Sequence, residues 1–578
     1  RNLAPAALGS RELADVLLPP FELAVRDGGA RSVMHAYTEI DGLPTVADGE
    51  VLTDLLRDTW GFDGTVVADY FGISFLELLH GVAASTAEAA SLALTAGVDV
   101  ELPTVRCYRE PLLAALRAGR VDEDIVDRSA ERVLRQKCEL GLLDPGWSPV
   151  PSVLGGAAGQ ERVVGADAVE GSVDLDPPSA RAVARTLAEE SIVLLANDGT
   201  LPLRPDARVA VVGPLAGDPM AVLGCYSFPR HVLSRHPDLP LGVEIPTLLQ
   251  ALRDELGGAD NVSHIAGCDV DGTDLGGIAA AVGIARDAEV CVAFLGDRAG
   301  LFGRGTSGEG CDAEDLRLPG VQEQLLEALV QTGTPVVAVL VAGRPYALGA
   351  CADGLAAVVQ TFFPGEEGPR AVAGVLSGRI CPSGRLPVSV PRRPGGQPAT
   401  YLAPRLGQRT QVSNLDPTPL YPFGHGLSYT TFDWAVGEVD GRATVADDAV
   451  EAGTDGMVSV AVDVRNTGDR AGTEVVQLYL HDPVAQVTRP VVRLIGYARV
   501  DLRPGERRTV RFGVHADLAS YTGRDGRRIV EPGDLELRLA ASSTDVRRVV
   551  PVRLVGPTRI VDHRRHLVAD VTVAAGTT

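Results

Sequence analysis

No uncharged apolar run in the 578 residues approaches the ~18 needed to cross a bilayer, so nothing reads as a membrane span. Positive charge is scarce as well. With 53 Lys and Arg against 76 Asp and Glu, the formal net charge of −23 argues against nucleic acid or an anionic membrane as partner. Of the basic residues only Lys137 is lysine; GC-rich coding accounts for that, and no function is read from it. The cysteines, at 107, 138, 225, 268, 291, 311, 351 and 381, form no CxxC pair and have no histidine at zinc spacing. A structural metal is therefore not expected, and no organic cofactor is expected either. Several of these cysteines sit in strand-like runs such as EVCVAF, where buried free thiols favour a reducing compartment. A cytoplasmic location is expected over secretion, although a start at Arg1 leaves export unread. Neither a GxGxxG opening a helix nor a GxxxxGK[ST] loop occurs, which weakens a nucleotide site despite glycine-rich strand ends such as VVGPLAGDP. The lack of G-x-S-x-G weakens an esterase.

What is present falls into three regions, since a chain this long exceeds one core. Residues 1–140 alternate helix and strand. Ser10 can cap a helix with Leu13, Val16, Leu17, Phe21 and Ala24 at helical spacing, ended by glycines 28 and 29. Strands RSVMHAY, GTVVAD and AGVDVELP follow, separated by GEVLTDLLRDTW and an alanine-rich helix. Such βαβ units imply parallel strands, and eight would close a barrel. Three are found, so a barrel would already have begun before Arg1. Residues 141–178, rich in Gly and Pro, read as a linker. In 179–398 the strands RVAVVG, EVCVAFLG, PVVAVLVAG and LAAVVQTFF are almost continuously apolar, as parallel strands covered on both faces should be. This region reads as an α/β sandwich. After a connecting loop over 399–432 the period becomes two: Val458, Val460, Val462 and Val464, then Val510, Phe512 and Val514, then Leu535, Leu537 and Leu539. Residues 433–560 thus read as a β-sandwich, with the tail VVADVTVAAGTT as an edge strand or disordered.

Within this frame GFDGTVVADYFG, residues 61–72, puts a costly carboxylate at a strand end. In an α/β barrel that end builds active sites, so Asp69 is either a helix-capping scaffold or a reactive acid. Met34, Tyr37 and Tyr70 surround it in sequence; together they would make apolar and aromatic walls suited to a sugar ring, although each alone reads more simply as core. A second candidate, Glu309, stands between two glycines in LGDRAGLFGRGTSGEGCDAEDLRLPG, residues 295–320. Asp297, Asp312, Glu314, Asp315, Glu366 and Glu367 compete with it.

Taken in order, SVMHAYTEIDGLP, LLRDTWGFDGTVVADYFG, AGVDVELP, LAEESIVLLANDGTLPL, SGEGCDAEDLRLPG, FFPGEEGPRAVAGVLSGRICPSGRLPVSVP and PFGHGLSYTTF resemble the multidomain β-glucosidases and β-xylosidases of glycoside hydrolase family three. The resemblance implies a partial (β/α)8 TIM barrel, an α/β sandwich and a fibronectin type III-like domain. It implies Asp69 as nucleophile, in a motif that usually reads Ser-Asp-Trp where this chain has Ala68 and Tyr70. It also implies Glu309 as acid/base, and Met34 and Tyr37 lining the pocket for the terminal sugar, with Tyr70 as the remaining aromatic wall. The family's Lys-His and Arg segments, which bind sugar hydroxyls, would precede Arg1, so residues 1–578 alone are expected to show little activity.

The reading that follows is a retaining exo-acting β-glycosidase releasing glucosyl or xylosyl residues from non-reducing ends. One carboxylate attacks while the other, with its pKa raised in an apolar cleft, protonates the leaving oxygen. Expected partners are β-linked glucosides, xylosides or oligosaccharides, and the reading admits a homodimer. Two alternatives are a β-N-acetylglucosaminidase, which the second and third regions speak against, and a non-catalytic carbohydrate-binding relative.

Overall fold

The computed structural model describes residues 4–149, 174–233, 235–258, 260–395, 400–439, 442–443 and 449–574. Most of the segment read as a linker lies outside the described residues.

In the first region, strands β1 (Ser32–Met34) and β2 (Thr65–Val67) pair in parallel, with Val33 opposite Val66. The helical crossover Glu50–Thr59 packs Leu52 and Leu56 inward, and its wide hydrogen-bonding pattern is closed by Gly61 at φ 74°. The segment AGVDVELP forms a single bridge, Val67 to Val100, instead of a strand. A side chain takes one of the ladder positions there: the Val66 N–H donates to Asp99 Oδ2 at 2.9 Å, while Asp99 N–H donates to Val66 O at 2.8 Å. The helix Thr86–Ala96 starts at Ser85, whose hydroxyl accepts the Glu88 N–H at 3.3 Å. The helix expected from Ser10 is broken into Ser10–Glu12, a wide turn Leu13–Leu17, and Pro19–Arg26. Ser10 caps nothing, because Gly9 holds the cap position, and Leu17 and Phe21 are exposed. No strand covers the outer edge of β1 among the described residues.

The second region holds a six-stranded sheet built from β3 (Val193–Asn197), β4 (Val209–Val212), β5 (Val262–Ile265), β6 (Val290–Gly296), β7 (Val336–Val341) and β8 (Ala357–Gln360). Its order is β3-β8-β7-β6-β4-β5. All pairings are parallel except β3 with β8, so the sheet is mixed, not wholly parallel. Periodicity misses β3 and β5, since VLLAN is a short apolar run and VSHI is half polar. Helices such as Leu248–Glu255, opened by a Thr247/Gln250 capping box, cover the faces.

The third region is a sandwich of two five-stranded sheets. In one, Met457–Asn466 pairs antiparallel with Arg507–His515, setting Val460 opposite Phe512, both fully buried. The tail supplies the edge strand Asp570–Val573, antiparallel to Arg507–His515. Alternating valines on one sheet and Leu535, Leu537 and Leu539 on the other share one core.

Candidate active site

Asp69 lies two residues past β2, where the chain turns sharply through Phe71 at φ 64° into the helix Gly72–Leu78. Its Oδ1 accepts the Tyr37 hydroxyl at 2.8 Å and the Tyr70 N–H at 2.6 Å. Among the described residues none donates to Oδ2 and no cation pairs with the carboxylate. Asp99 and Glu101, from the neighbouring segment, differ in kind. Asp99 is buried against Arg57 (2.6 Å) and Arg132 (3.0 Å), and Glu101 accepts the Cys107 and Tyr108 N–H groups. Those two acids are scaffolding. Asp69 is half-buried with one oxygen anchored and one free.

Around it, Tyr37 packs against Phe75 with ring centroids 5.3 Å apart. Met34 and Tyr70, each 57% exposed, are not core residues: Met34 ends β1 and Tyr70 lies three residues past β2. His35 is buried beneath the turn. Its ring leaves no room for a Cβ at position 72, which fixes Gly72 there. Burial, opposed by the Asp69 charge, lowers the His35 pKa, so the ring is neutral at neutral pH.

Glu309 comes from the loop after β6. Arg344 ties this loop down by donating to the Thr306 and Cys311 carbonyls. Asp297 is fully buried and accepts from Tyr346 Oη (2.5 Å), Thr306 Oγ1 (2.7 Å) and the Gly343 N–H (3.0 Å). The glycines flanking Glu309 are required by the backbone. Gly308 has φ 130° and Gly310 φ 68°, and a Cβ on Gly308 would overlap the Gly300 carbonyl oxygen. The Glu309 carboxylate accepts a hydrogen bond from the exposed Tyr226 hydroxyl.

Each of the two candidate acids, from different regions, bonds one phenol and acts electrostatically on the other's. Burial first, then the Asp69 carboxylate and, further down, Glu309 and Tyr226, raise the Tyr37 pKa above the ordinary phenol range. Tyr226 is pushed up to about 12, first by its hydrogen bond to Glu309 and then by burial, with Asp69 adding to it. Both phenols therefore remain donors at any working pH.

The competing acids are otherwise engaged. Asp297 organises the loop from within the core. Half-buried Asp315 pairs with Arg317 at 2.6 Å. Burial would raise Glu367, but its bonds to Arg181 (2.9 Å) and Arg185 (3.2 Å) hold it below its ordinary value. Glu366 lies 4.0 Å from the same Arg181. Asp312 and Glu314 line a separate cavity with Arg317. Tyr226 and His35 are absent from the sequence reading; GCYSF and MHAY hold no spacing signal for either, because their partners are remote in sequence. One group of three described residues could hold a metal ion, His515, Asp517 and His566 in the third region. There Arg559 occupies Asp517 Oδ1 and the His566 N–H occupies Oδ2 at 2.9 Å.

Models of known families match the chain in three places: the glycosyl hydrolase family 3 N terminal domain at residues 1–136, the glycosyl hydrolase family 3 C-terminal domain at 192–429, and a fibronectin type III-like domain at 474–543. A β-xylosidase of Formosa agariphila is 34% identical over 93% of this chain and 71% of its own length. A periplasmic β-glucosidase of Salmonella typhimurium is 32% identical over 94% and 70%. The solved structure of a β-glucosidase from Erythrobacter marinus superposes with a TM-score of 0.81 at 35% identity, covering 96% of this chain and 72% of that one.

Proposed function

The chain belongs to glycosyl hydrolase family 3, and on that premise we propose that it is a retaining, exo-acting β-glycosidase that removes terminal β-D-glucosyl or β-D-xylosyl residues. What supports this reading is that Asp69 accepts the Tyr37 hydroxyl and Glu309 the Tyr226 hydroxyl, with each carboxylate also acting electrostatically on the other's phenol. Asp69 Oδ2, which accepts no hydrogen bond from the described residues, attacks the anomeric carbon. Tyr37 and the Tyr70 N–H hold Oδ1 and fix the direction of attack. Glu309, in its protonated form, gives its proton to the departing glycosidic oxygen; as a carboxylate it then takes one from the water that releases the sugar. Tyr226 orients it throughout. Retention requires the carboxyl groups to stand about 5–5.5 Å apart with the sugar between them. Met34 and Tyr70 offer exposed apolar surface beside Asp69 for the ring's C–H faces.

The eight cysteines are all unpaired, which supports a reducing, cytoplasmic setting. The reaction class is tested by the stereochemistry of the first product. Proton NMR of an aryl β-glucoside or aryl β-xyloside digest should show the β-anomer before mutarotation, whereas an α-anomer appearing first would contradict it.

A further inference from the structure

The loop that carries Glu309 also walls a cavity of about 350 Å³, closed on the other side by Met220, Arg230, His231, Leu233, Arg235 and Pro237. In a chain of net charge −23, four arginines line it: Arg230, Arg235, Arg298 and Arg304. Arg230 is held by Asp218 at 3.3 Å and the Met220 carbonyl at 2.7 Å, and Arg298 by Asp271 at 2.6 Å. Among the described residues no carboxylate lies within ion-pairing distance of Arg235 or Arg304. The remaining wall is apolar, with Met220, Leu301 and Phe302. Phe302 is 63% exposed, yet its backbone is fixed at φ 55° by its N–H, which donates to the Glu309 carbonyl at 2.8 Å. At the rim, His231 lies with its ring 6.3 Å from that of Tyr226, the partner of Glu309. The cavity and the proposed acid/base thus share one loop and one aromatic neighbour.

We propose that this cavity is the leaving-group side of the site and that it takes an aromatic aglycone bearing a carboxylate, a deepening that rests on the glycosidase reading above. A neutral sugar there would present hydroxyl donors, yet none of the described lining residues is Asp, Glu, Asn or Gln to accept them. A carboxylate needs only donors. Guanidinium groups supply them in a fork that matches it, and they also lie well against an aromatic face. Phe302 provides a platform for the ring of the aglycone. Two guanidiniums already paired set the floor, and Arg235 and Arg304 are left to close on the anion.

The test compares β-glucosides, and β-xylosides, of 4-hydroxybenzoate and 4-hydroxybenzamide, which differ in charge but little in shape. The acid should be preferred about tenfold or more in kcat/KM at low salt, as one charge-assisted pairing warrants. The preference should shrink in about 0.5 M NaCl. In the exposed double variant Arg235→Ala/Arg304→Ala the acid-to-amide ratio should fall to near one. Equal kcat/KM for acid and amide, or a preference that survives in the double variant, would overturn the proposal. Calorimetric binding of free 4-hydroxybenzoate to the Asp69→Asn protein separates the two readings. Binding that the double variant loses supports the cavity whatever the turnover, whereas an α-anomer as the first product of a catalytically competent preparation would sink the glycosidase reading alone. No binding, together with turnover of uncharged aryl glycosides, would sink the cavity proposal alone.

Discussion

Asp69 and Asp99 are two aspartates on neighbouring segments of one small sheet, and their surroundings decide their roles. Asp99 is neutralised by two arginines and a peptide N–H, so its charge is spent on holding the fold. Among the described residues Asp69 has donors on one oxygen only. Replacing Asp69 by Ala is expected to lower kcat by about 10³-fold or more, the covalent route being lost, with circular dichroism unchanged. Glu309→Ala should slow aryl glycosides with poor leaving groups far more than activated ones, and added azide should restore rate by forming a β-glycosyl azide. Equal loss on both kinds, without azide rescue, would move the acid/base role to another carboxyl group. Asp69 was legible in the sequence because a carboxylate at a strand end before an aromatic is costly and local. The link from Tyr226 to Glu309 was not, as 83 positions separate them and only the fold brings them together.

Among the elements, the Glu309 loop owes its shape to backbone constraints more than to packing. Gly308→Ala must displace the loop, because φ 130° and the nearby Gly300 carbonyl both exclude a Cβ. An activity loss of about 10²-fold is expected, in line with roughly 1 Å of misplacement. The thermal midpoint should change little, and a fully active Gly308→Ala protein would count against this loop as the source of the acid/base. A second element carries a pH signature. At the end of the strand Gly472–His481, burial, opposed by Arg489 at 3.7 Å, pushes the Asp482 carboxyl up to about 6 from its ordinary 3.8. Between those values the native state keeps a proton that the unfolded chain has lost, so this group makes stability fall as pH rises from about 4 to 6. Urea unfolding of the Asp482→Asn variant should lack that decline, and identical pH slopes in both proteins would contradict it. The long strands were readable because alternation and continuous apolar runs report burial directly. The antiparallel edge strand β3 was not, since an apolar run does not encode direction, and AGVDVELP was misread because Asp99 replaces a ladder bond with its side chain.

At the scale of the whole molecule, the first and third regions are locked together by charges that are remote in sequence. Arg565 bonds both oxygens of Glu22 at 2.8 and 2.7 Å, with both residues buried. Asp15 accepts the Thr522 N–H at 3.0 Å and hydroxyl at 2.7 Å, and pairs with Arg528 at 2.8 Å. Removing Arg565 leaves the buried Glu22 with Arg26 alone, at 3.0 Å, so the cost falls below the about 3–5 kcal/mol of a buried charge left wholly unpaired, but the tie between the regions is lost. Arg565→Ala should therefore speed hydrogen exchange across Pro19–Arg26 while the sheet of the second region stays protected. Unchanged exchange in that helix would show that the pair does not hold the regions together. No pattern in the sequence announced this contact, as 543 positions separate its partners.

The central claim is that Asp69 forms the covalent bond to the sugar, and trapping that bond tests it most directly. A catalytically competent preparation is inactivated with a 2-deoxy-2-fluoro-β-glycoside, which slows release of the glycosyl-enzyme, and is then digested and sequenced by mass spectrometry. The account predicts one added fluoroglycosyl group, on Asp69 in the peptide that contains GTVVADYFG. A label on any other carboxylate, or complete inactivation without a covalent adduct, would contradict it.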